Sequence, residues 1–263
     1  MRVASFNVMH GRSLTDGRVD ADRFRAAIAE LDCDVLALQE VDVGQPRSGG
    51  ADLAATAAAA LGVDEPGWRF IPTVFGTPGL AWRPAEGERR DGEPAYGIAL
   101  VSRLPVRDWQ VLPLGRAPMR SPILIPRGNS HSKMIMMDDE PRVALVATVE
   151  APDGPVTVVN THLSFVPGWN AFQLRRLVRR LARVAGPVLL AGDLNLPGRL
   201  PEIVSGWRRL AAVATYPGHA PRVQLDHVLA RGPVGTVTAA EARRSTISDH
   251  LPLVVDLARR REA

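Results

Sequence analysis

The sequence predicts an α+β protein made of two packed sheets with helices on the outside. Three observations carry this. Strand-length apolar runs recur from one end of the 263 residues to the other. Few stretches carry helical periodicity, and they are separated by strand patterns. No internal repeat and no linker divides the chain, so residues 1–263 are expected to form one domain.

In order, Arg2 to Met9 reads as a buried strand that reaches Asn7. Gly11 and Gly17 mark a loop. Asp20 or Asp22 is placed to cap a helix running to Leu31, with Phe24, Ala27, Ile28 and Leu31 on one face. A second strand, Val35 to Leu38, runs into Gln39-Glu40. Gln45 to Gly50 is turn-rich, and Ala51 to Leu61 is helical by alanine content. Trp68 to Val74 is a further strand. Pro78 to Pro94 reads as a surface loop. Tyr96 to Ser102 is a strand, with Val106 to Leu112 expected to pair with it.

Pro113 to Pro141 reads as a long irregular segment, of a length that often serves substrates. It carries Arg116, Arg120, Arg127, His131 and Lys133, with Met134 to Met137 as a short strand inside it. Arg142 to Glu150 and Val156 to Asn160 alternate and are joined by Asp153-Gly154, a hairpin signal. Gly168 to Val184 is a helix whose stripe is Leu174, Leu177, Val178, Leu181 and Val184. Its arginines, Arg175, Arg176, Arg179, Arg180 and Arg183, read as a solvated face in preference to a nucleic-acid surface.

Val188 to Ala191 then reads as a strand buried on both faces. A turn glycine follows, with Asp193 and Asn195 two positions apart. On extended backbone these two project to the same side, where a carboxylate and an amide grip a hard cation or a phosphate oxygen. A short helix near Leu200 to Val204, a strand ending in Leu225-Asp226-His227, and strands near Val234 to Ala239 and Leu253 to Leu257 complete the chain.

Bulk properties narrow the class. No apolar run approaches a membrane span. The chain opens on a strand pattern rather than a secretory signal, and the lone Cys33 excludes an internal disulfide framework, so a cytoplasmic protein is expected. The net charge is +4, with Lys133 the only lysine. That balance suits an anionic substrate without demanding nucleic acid. No obligate protein partner is evident.

Polar residues collect where strands meet loops: Asn7, Glu40, Asn160, His162, Asp193, Asn195, Asp226, Asp249 and His250. Singly each has an ordinary explanation as a turn, a cap or a surface charge. Together they describe one rim on a rigid scaffold.

In order along the chain, Phe6-Asn7, Leu38-Gln39-Glu40, Tyr96-Gly97 to Ser102-Arg103, Asn160-Thr161-His162, Gly192-Asp193-Leu194-Asn195, Leu225-Asp226-His227 and Ser248-Asp249-His250 resemble the endonuclease/exonuclease/phosphatase family. The resemblance spans nearly the whole chain. It implies a deoxyribonuclease I-like four-layer α/β/β/α sandwich, with two mainly antiparallel sheets packed face to face and a site at one end. Carried over, Glu40 resembles the principal metal ligand, with Asn7 beside it and Asp249 as a further metal-side carboxylate. Asp193 and Asn195 resemble the pair that contacts the nucleophile or the scissile phosphate. His250 resembles the catalytic imidazole, oriented by Asp226, and His162 the phosphate-binding histidine. Tyr96 and Asn160 are expected to contact substrate. Abasic-site endonucleases usually lack an equivalent of His162, which moves the reading away from them.

The implied activity is hydrolysis of a phosphoester with Mg²⁺ or Mn²⁺, with a phosphodiester favoured and DNA or RNA among the candidates. Zinc ranks second, because no Cys set or helix-borne His pair is present. A phosphomonoesterase, or a phospholipid or inositol-phosphate phosphatase, is the first alternative. A non-catalytic binding protein on the same scaffold is the second.

Overall fold

The computed structural model describes residues 1–118, 120–127 and 131–259. Its first unit follows from the opening pattern. β1 (Arg2–Asn7) and β2 (Val35–Val43) are buried almost throughout, pair in parallel, and are joined by α1 (Ala21–Ala29). Asp20 caps α1, its side chain accepting from the Arg23 N–H. α2 (Leu53–Ala60) is capped the same way by Asp52, which accepts from Ala55 N–H. β3 (Trp68–Gly76), β4 (Trp82–Pro84) and β5 (Ala95–Ser102) extend the sheet beyond β2.

β6 (Val106–Gly115) does not pair with β5, as the sequence suggested. It crosses to a second sheet and pairs with β9 (Arg142–Ala151). Between them β7 (Ser121–Arg127) and β8 (His131–Met137) form a separate hairpin. The expected irregular segment is therefore largely ordered strand, and the short strand foreseen at Met134 to Met137 is the end of β8. The side chains of Arg127, His131 and Lys133 lie outside the described residues.

β10 (Gly154–His162), α3 (Trp169–Leu181) and β11 (Val188–Asp193) repeat the opening design, with β10 and β11 parallel and the helix between them. α4 (Leu200–Ser205), β12 (Arg208–Arg209), β13 (Asp226–Arg231), β14 (Val237–Ala242) and β15 (Leu253–Leu257) follow. β13 begins at Asp226 rather than ending there.

The first sheet has seven strands in the order β14-β15-β1-β2-β5-β3-β4, and the second has six in the order β12-β13-β11-β10-β9-β6. Each sheet is mixed, with one parallel pair and antiparallel neighbours elsewhere. Three apolar layers hold the sandwich. Val3, Val35 and Leu100 meet Leu145, Val158 and Leu189 between the sheets. Phe24, Ile28 and Leu53 cover the outer face of the first sheet, and Leu174, Leu177 and Leu181 that of the second. The four-layer architecture is the one the resemblance implied.

Period two then decides which polar residues reach the inter-sheet mouth. In β1, Val3 points inward, so Asn7 does too. In β10, Val156 and Val158 point inward, and Asn160 and His162 continue that set. In β11, Leu189 and Ala191 set the direction for Asp193, and in β13 Val228 and Ala230 set it for Asp226. His227 falls on the opposite face, where its Nε2 meets the Leu196 carbonyl at 2.9 Å.

Candidate active site

β1 ends with Asn7 opposite Gln39 of its parallel neighbour β2, and β10 and β11 end side by side, with His162 opposite Asp193. Ligand sites in α/β sheets favour the carboxyl ends of parallel strands, where side chains leave a stiff base. Asp226 joins because β13 runs antiparallel to β11 and starts at the same edge, opposite Asp193.

Glu40 needs a further device. Simple alternation would turn it to the outer face. A bulge between Leu38 and Val41 interrupts the β2–β5 ladder, and Glu40 takes a left-handed φ of 57°. That re-aims its carboxylate into the cavity. Met9, His10, Asn195 and Ser248 share positive φ, and of the described non-glycine residues in that conformation only Asp32 lies elsewhere. Backbone strain is thus concentrated around one cavity.

That cavity holds about 550 Å³ and is lined by Glu40, Tyr96, His162, Asp193, Asn195, Asp249 and His250 among others. Asn7 is buried at its base. Its Nδ2 donates to Glu40 Oε1 at 2.9 Å and to Asp193 Oδ2 at 3.0 Å, while Oδ1 accepts from Met9 N–H. Asn7 therefore fixes two carboxylates relative to each other. Asp193 Oδ1 accepts from Asn195 N–H at 2.9 Å. This closes a tight turn, so Asn195 is brought to the site by a left-handed residue and not by strand alternation. Asn195 Nδ2 lies 3.3 Å from His162 Nε2 and donates to the Leu163 carbonyl.

His250 Nδ1 lies 2.8 Å from Asp226 Oδ2, and Nε2 lies 3.8 Å from Asp193 Oδ2. Thr215 Oγ1 donates to Asp226 Oδ2 at 2.6 Å and so steers that carboxylate. Metal-ligating atoms of Asp193, Asp226 and His250 all lie within 4.8 Å of one another. The short bond makes His250 and Asp226 a hydrogen-bonded relay pair, with Asp193 beyond hydrogen-bonding reach at 3.8 Å.

Electrostatics separates the two imidazoles. Burial opposes charge on His250, but Asp226 and Asp193 overcome it and raise its pKa to about 10. His162 goes the other way: burial, then Arg142 and His250, hold it well below 6.5 and keep it neutral. Burial lifts Glu40 to about 7 and Asp193 to about 6, with His250 pulling Asp193 partly back. Paired groups pushed in opposite directions are a mark of acid–base sites.

One expected contact is not formed. Asn160 is fully buried, and its amide is consumed by the fold. Oδ1 accepts from Gln39 Nε2 at 2.8 Å, and Nδ2 donates to the carbonyls of Leu38 and Ala99 at 2.8 and 2.7 Å. It bolts β10 to β2 and β5 behind the cavity and leaves no atom for substrate. Tyr96 does line the cavity, beneath the Arg47 guanidinium at 5.5 Å. Burial raises its phenol well above 10, so it stays protonated.

The cavity also contains Arg47, Glu140, Arg142 and Tyr216, none of which carries a sequence signal. Arg142 is only 5% exposed, and its Nε has no partner among the described residues. A strand pattern would have found its position at the start of β9, but not the cavity it faces.

Two sheets packed face to face, with a carboxylate-, amide- and imidazole-lined mouth at one end, define a deoxyribonuclease I-like scaffold. A family model confirms the placement. The chain belongs to the Endonuclease/Exonuclease/phosphatase family, matched over residues 4–250. It is similar in structure to an endonuclease/exonuclease/phosphatase from Beutenbergia cavernae DSM 12333, at 24% identity and a TM-score of 0.66, covering 98% of this chain and 71% of that one. A mannosyl-6-phosphatase from Bacteroides thetaiotaomicron VPI-5482 aligns at 17% identity and 0.59, covering 98% and 99%. TDP2 of D. rerio, complexed with single strand DNA product, aligns at 16% and 0.60, covering 97% of each chain. No curated protein matches the chain. Members of this family are phosphoester hydrolases, and that class is the one to which the chain is assigned. Among the described residues, no helix is long and apolar enough to cross a membrane.

Proposed function

We propose that the chain is a divalent-metal-dependent phosphodiesterase that attacks its substrate with water. The observation that carries this is the charge inventory of the cavity. Glu40, Asp193, Asp249 and Glu140 face it, against Arg47, Arg142 and the His250 imidazolium. Both arginines are already engaged: Arg47 by Asp42 at 2.7 Å, and Arg142 by Asp139 and Glu140 at 3.6 and 3.8 Å. An anionic phosphate would meet surplus carboxylate unless a cation intervened.

The donor set fits a hard cation. Glu40 and Asp249 offer oxygen only, and the Asp249 carboxylate accepts no hydrogen bond among the described residues. In this reading Glu40 and Asp249 hold Mg²⁺ or Mn²⁺, with Asn7 setting the Glu40 carboxylate. The metal would neutralise phosphate charge and stabilise the leaving oxygen.

The protein's own groups do the rest. Asp193, lifted to about 6, is poised to orient water and take its proton. His250 donates from Nε2 to a phosphoryl oxygen, while Asp226 and Thr215 hold its tautomer. Asn195, neutral His162 and the Tyr96 hydroxyl supply uncharged donors to the remaining oxygens. With both arginines engaged by carboxylates and His250 the only further cation lining the cavity among the described residues, a singly charged diester is the better match than a doubly charged monoester. DNA and RNA belong to that class. The single cysteine, buried and with its thiol raised to about 12, keeps a cytoplasmic setting in this reading.

The test is a screen of phosphodiesters and phosphomonoesters, including bis-p-nitrophenyl phosphate and plasmid DNA, with Mg²⁺, Mn²⁺ or excess chelator. Diester turnover that chelator abolishes is expected. Full activity in chelator sinks the metal mechanism, and turnover of monoesters alone sinks the diester assignment.

A further inference from the structure

A second concave surface lies away from the catalytic cavity, between α3 and the edge strand β6. It encloses about 710 Å³. Apolar Leu112, Leu181 and Val184 line it together with Arg175, Arg176, Arg179, Arg180 and Arg183, with no acidic residue in the lining. Arg180 is committed, donating to the Pro113 carbonyl at 2.8 Å and tying the helix to the edge strand. Among the described residues, Arg175, Arg176, Arg179 and Arg183 make no ion pair and no hydrogen bond. Guanidinium groups one turn apart repel one another. Four of them left bare along one groove form a site complementary to a polyanion rather than the solvated face that periodicity suggests.

Two features select the polyanion. The groove is concave, which suits a strand and not a flat lipid surface. Phe172 lines it at the end nearer the start of α3, is 47% exposed, and makes a tilted ring contact with Trp169 at 4.9 Å between centroids. An exposed aromatic beside a basic track is how proteins hold unpaired bases next to their phosphates. The start of α3 is also tied to the catalytic mouth. Asn170, in the first turn of α3, donates to the Asn195 carbonyl at 2.8 Å, and Gln173 bonds both Ser164 N–H and the Gly115 carbonyl. From Arg175 to the end of α3 at Leu181 the helix rises about 9 Å, with Arg183 just beyond it, the length of two to three nucleotides of stacked strand at about 3.4 Å each.

We propose that the α3–β6 groove binds a single-stranded nucleic acid, with the arginines on its phosphates and Phe172 against a base. That the bound strand is also the substrate rests on the phosphodiesterase reading. The binding does not.

The test uses the full chain in chelator, so that nothing is cleaved, with fluorescein-labelled oligo(dT) read by anisotropy across a salt series. The comparison is with R176Q/R179Q/R183Q. The wild type is expected to bind with strong salt dependence. The triple variant should lose tenfold or more in affinity and flatten the log K against log salt slope by about 2, at about 0.7 for each phosphate that is no longer neutralised. The Lys triple at the same positions should retain binding, and Phe172→Ala should weaken it several-fold. Hydrolysis of bis-p-nitrophenyl phosphate with Mg²⁺ should be alike in wild type and triple variant. If the wild type fails to turn over that diester, the catalytic reading fails while the anisotropy still reports on the groove. Equal oligonucleotide binding by wild type and the Gln triple overturns the proposal. So does a triple variant that loses only its binding to mixed phosphatidylserine/phosphatidylcholine vesicles.

Discussion

Replacing Asn160 by Ala separates a structural role from a catalytic one. The side chain makes three hydrogen bonds at 2.7–2.8 Å across the two sheets and is wholly excluded from solvent. Each such bond contributes roughly 1–1.5 kcal/mol net, and the Leu38 and Ala99 carbonyls would each lose a donor with no water to replace it. The expected loss is about 3–4 kcal/mol, a large share of the roughly 5–15 kcal/mol that keeps a domain folded. For a chain of this size that is a fall in melting temperature of roughly 6–16 °C. Urea titration should show a lower midpoint with the slope unchanged, while the folded fraction binds metal and turns over substrate near normally. Asn160→Asp should be worse at neutral pH, because one carboxylate oxygen would face two carbonyls. Burial would raise that carboxyl's pKa, so the variant's stability should recover as pH falls and the group protonates and donates again. A change below about 1 kcal/mol in the Ala variant, or a selective loss of turnover with stability intact, would falsify the assignment of Asn160 as a sheet-to-sheet bolt.

Glu40→Gln keeps the shape and the bond from Asn7 but removes the charge. Calorimetric titration with Mn²⁺ should show metal affinity falling by at least tenfold, and unchanged affinity would move the metal elsewhere. Asp226→Asn should lower kcat/KM by about 10²–10⁴. In the wild type the His250 imidazolium persists until pH approaches about 10, so activity should fall only there on the alkaline side. Without the Asp226 charge, burial dominates and the alkaline limb should move towards neutral pH; an unmoved limb would remove Asp226 from the relay. Gly192→Ala places a Cβ against the Thr161 carbonyl in the neighbouring strand. Circular dichroism and thermal melting should report severe destabilisation, and a normally stable variant would contradict the observed β10–β11 register.

Gly192 also illustrates where local reading stops. On its own it looks like a turn glycine. In the fold it is a paired strand residue, opposite both Thr161 and His227, that must be bare because a carbonyl approaches it. The same limit applies to Asn195, whose two-residue spacing from Asp193 was legible but whose delivery by a left-handed turn was not. β6 read correctly as a strand, yet its partner lay in the other sheet. Thr215 had no signal at all and Arg142 only that of a strand start, since the contacts that give them meaning are with Asp226 and with the cavity.

What the sequence determined alone was the alternation of buried and polar positions, and with it most of the strands, two packed sheets with helices outside, and the rim set that includes Asn7, His162, Asp193 and Asp226. Those are properties of neighbouring residues, written at periods of two and 3.6. Tertiary structure alone decided which strand ends share a mouth, which amide is spent on the fold, and that a bulge turns Glu40 inward. It also decided the opposite protonation of two histidines. Charges act through space, and no spacing along the chain records that His250 faces two carboxylates while His162 sits buried near Arg142.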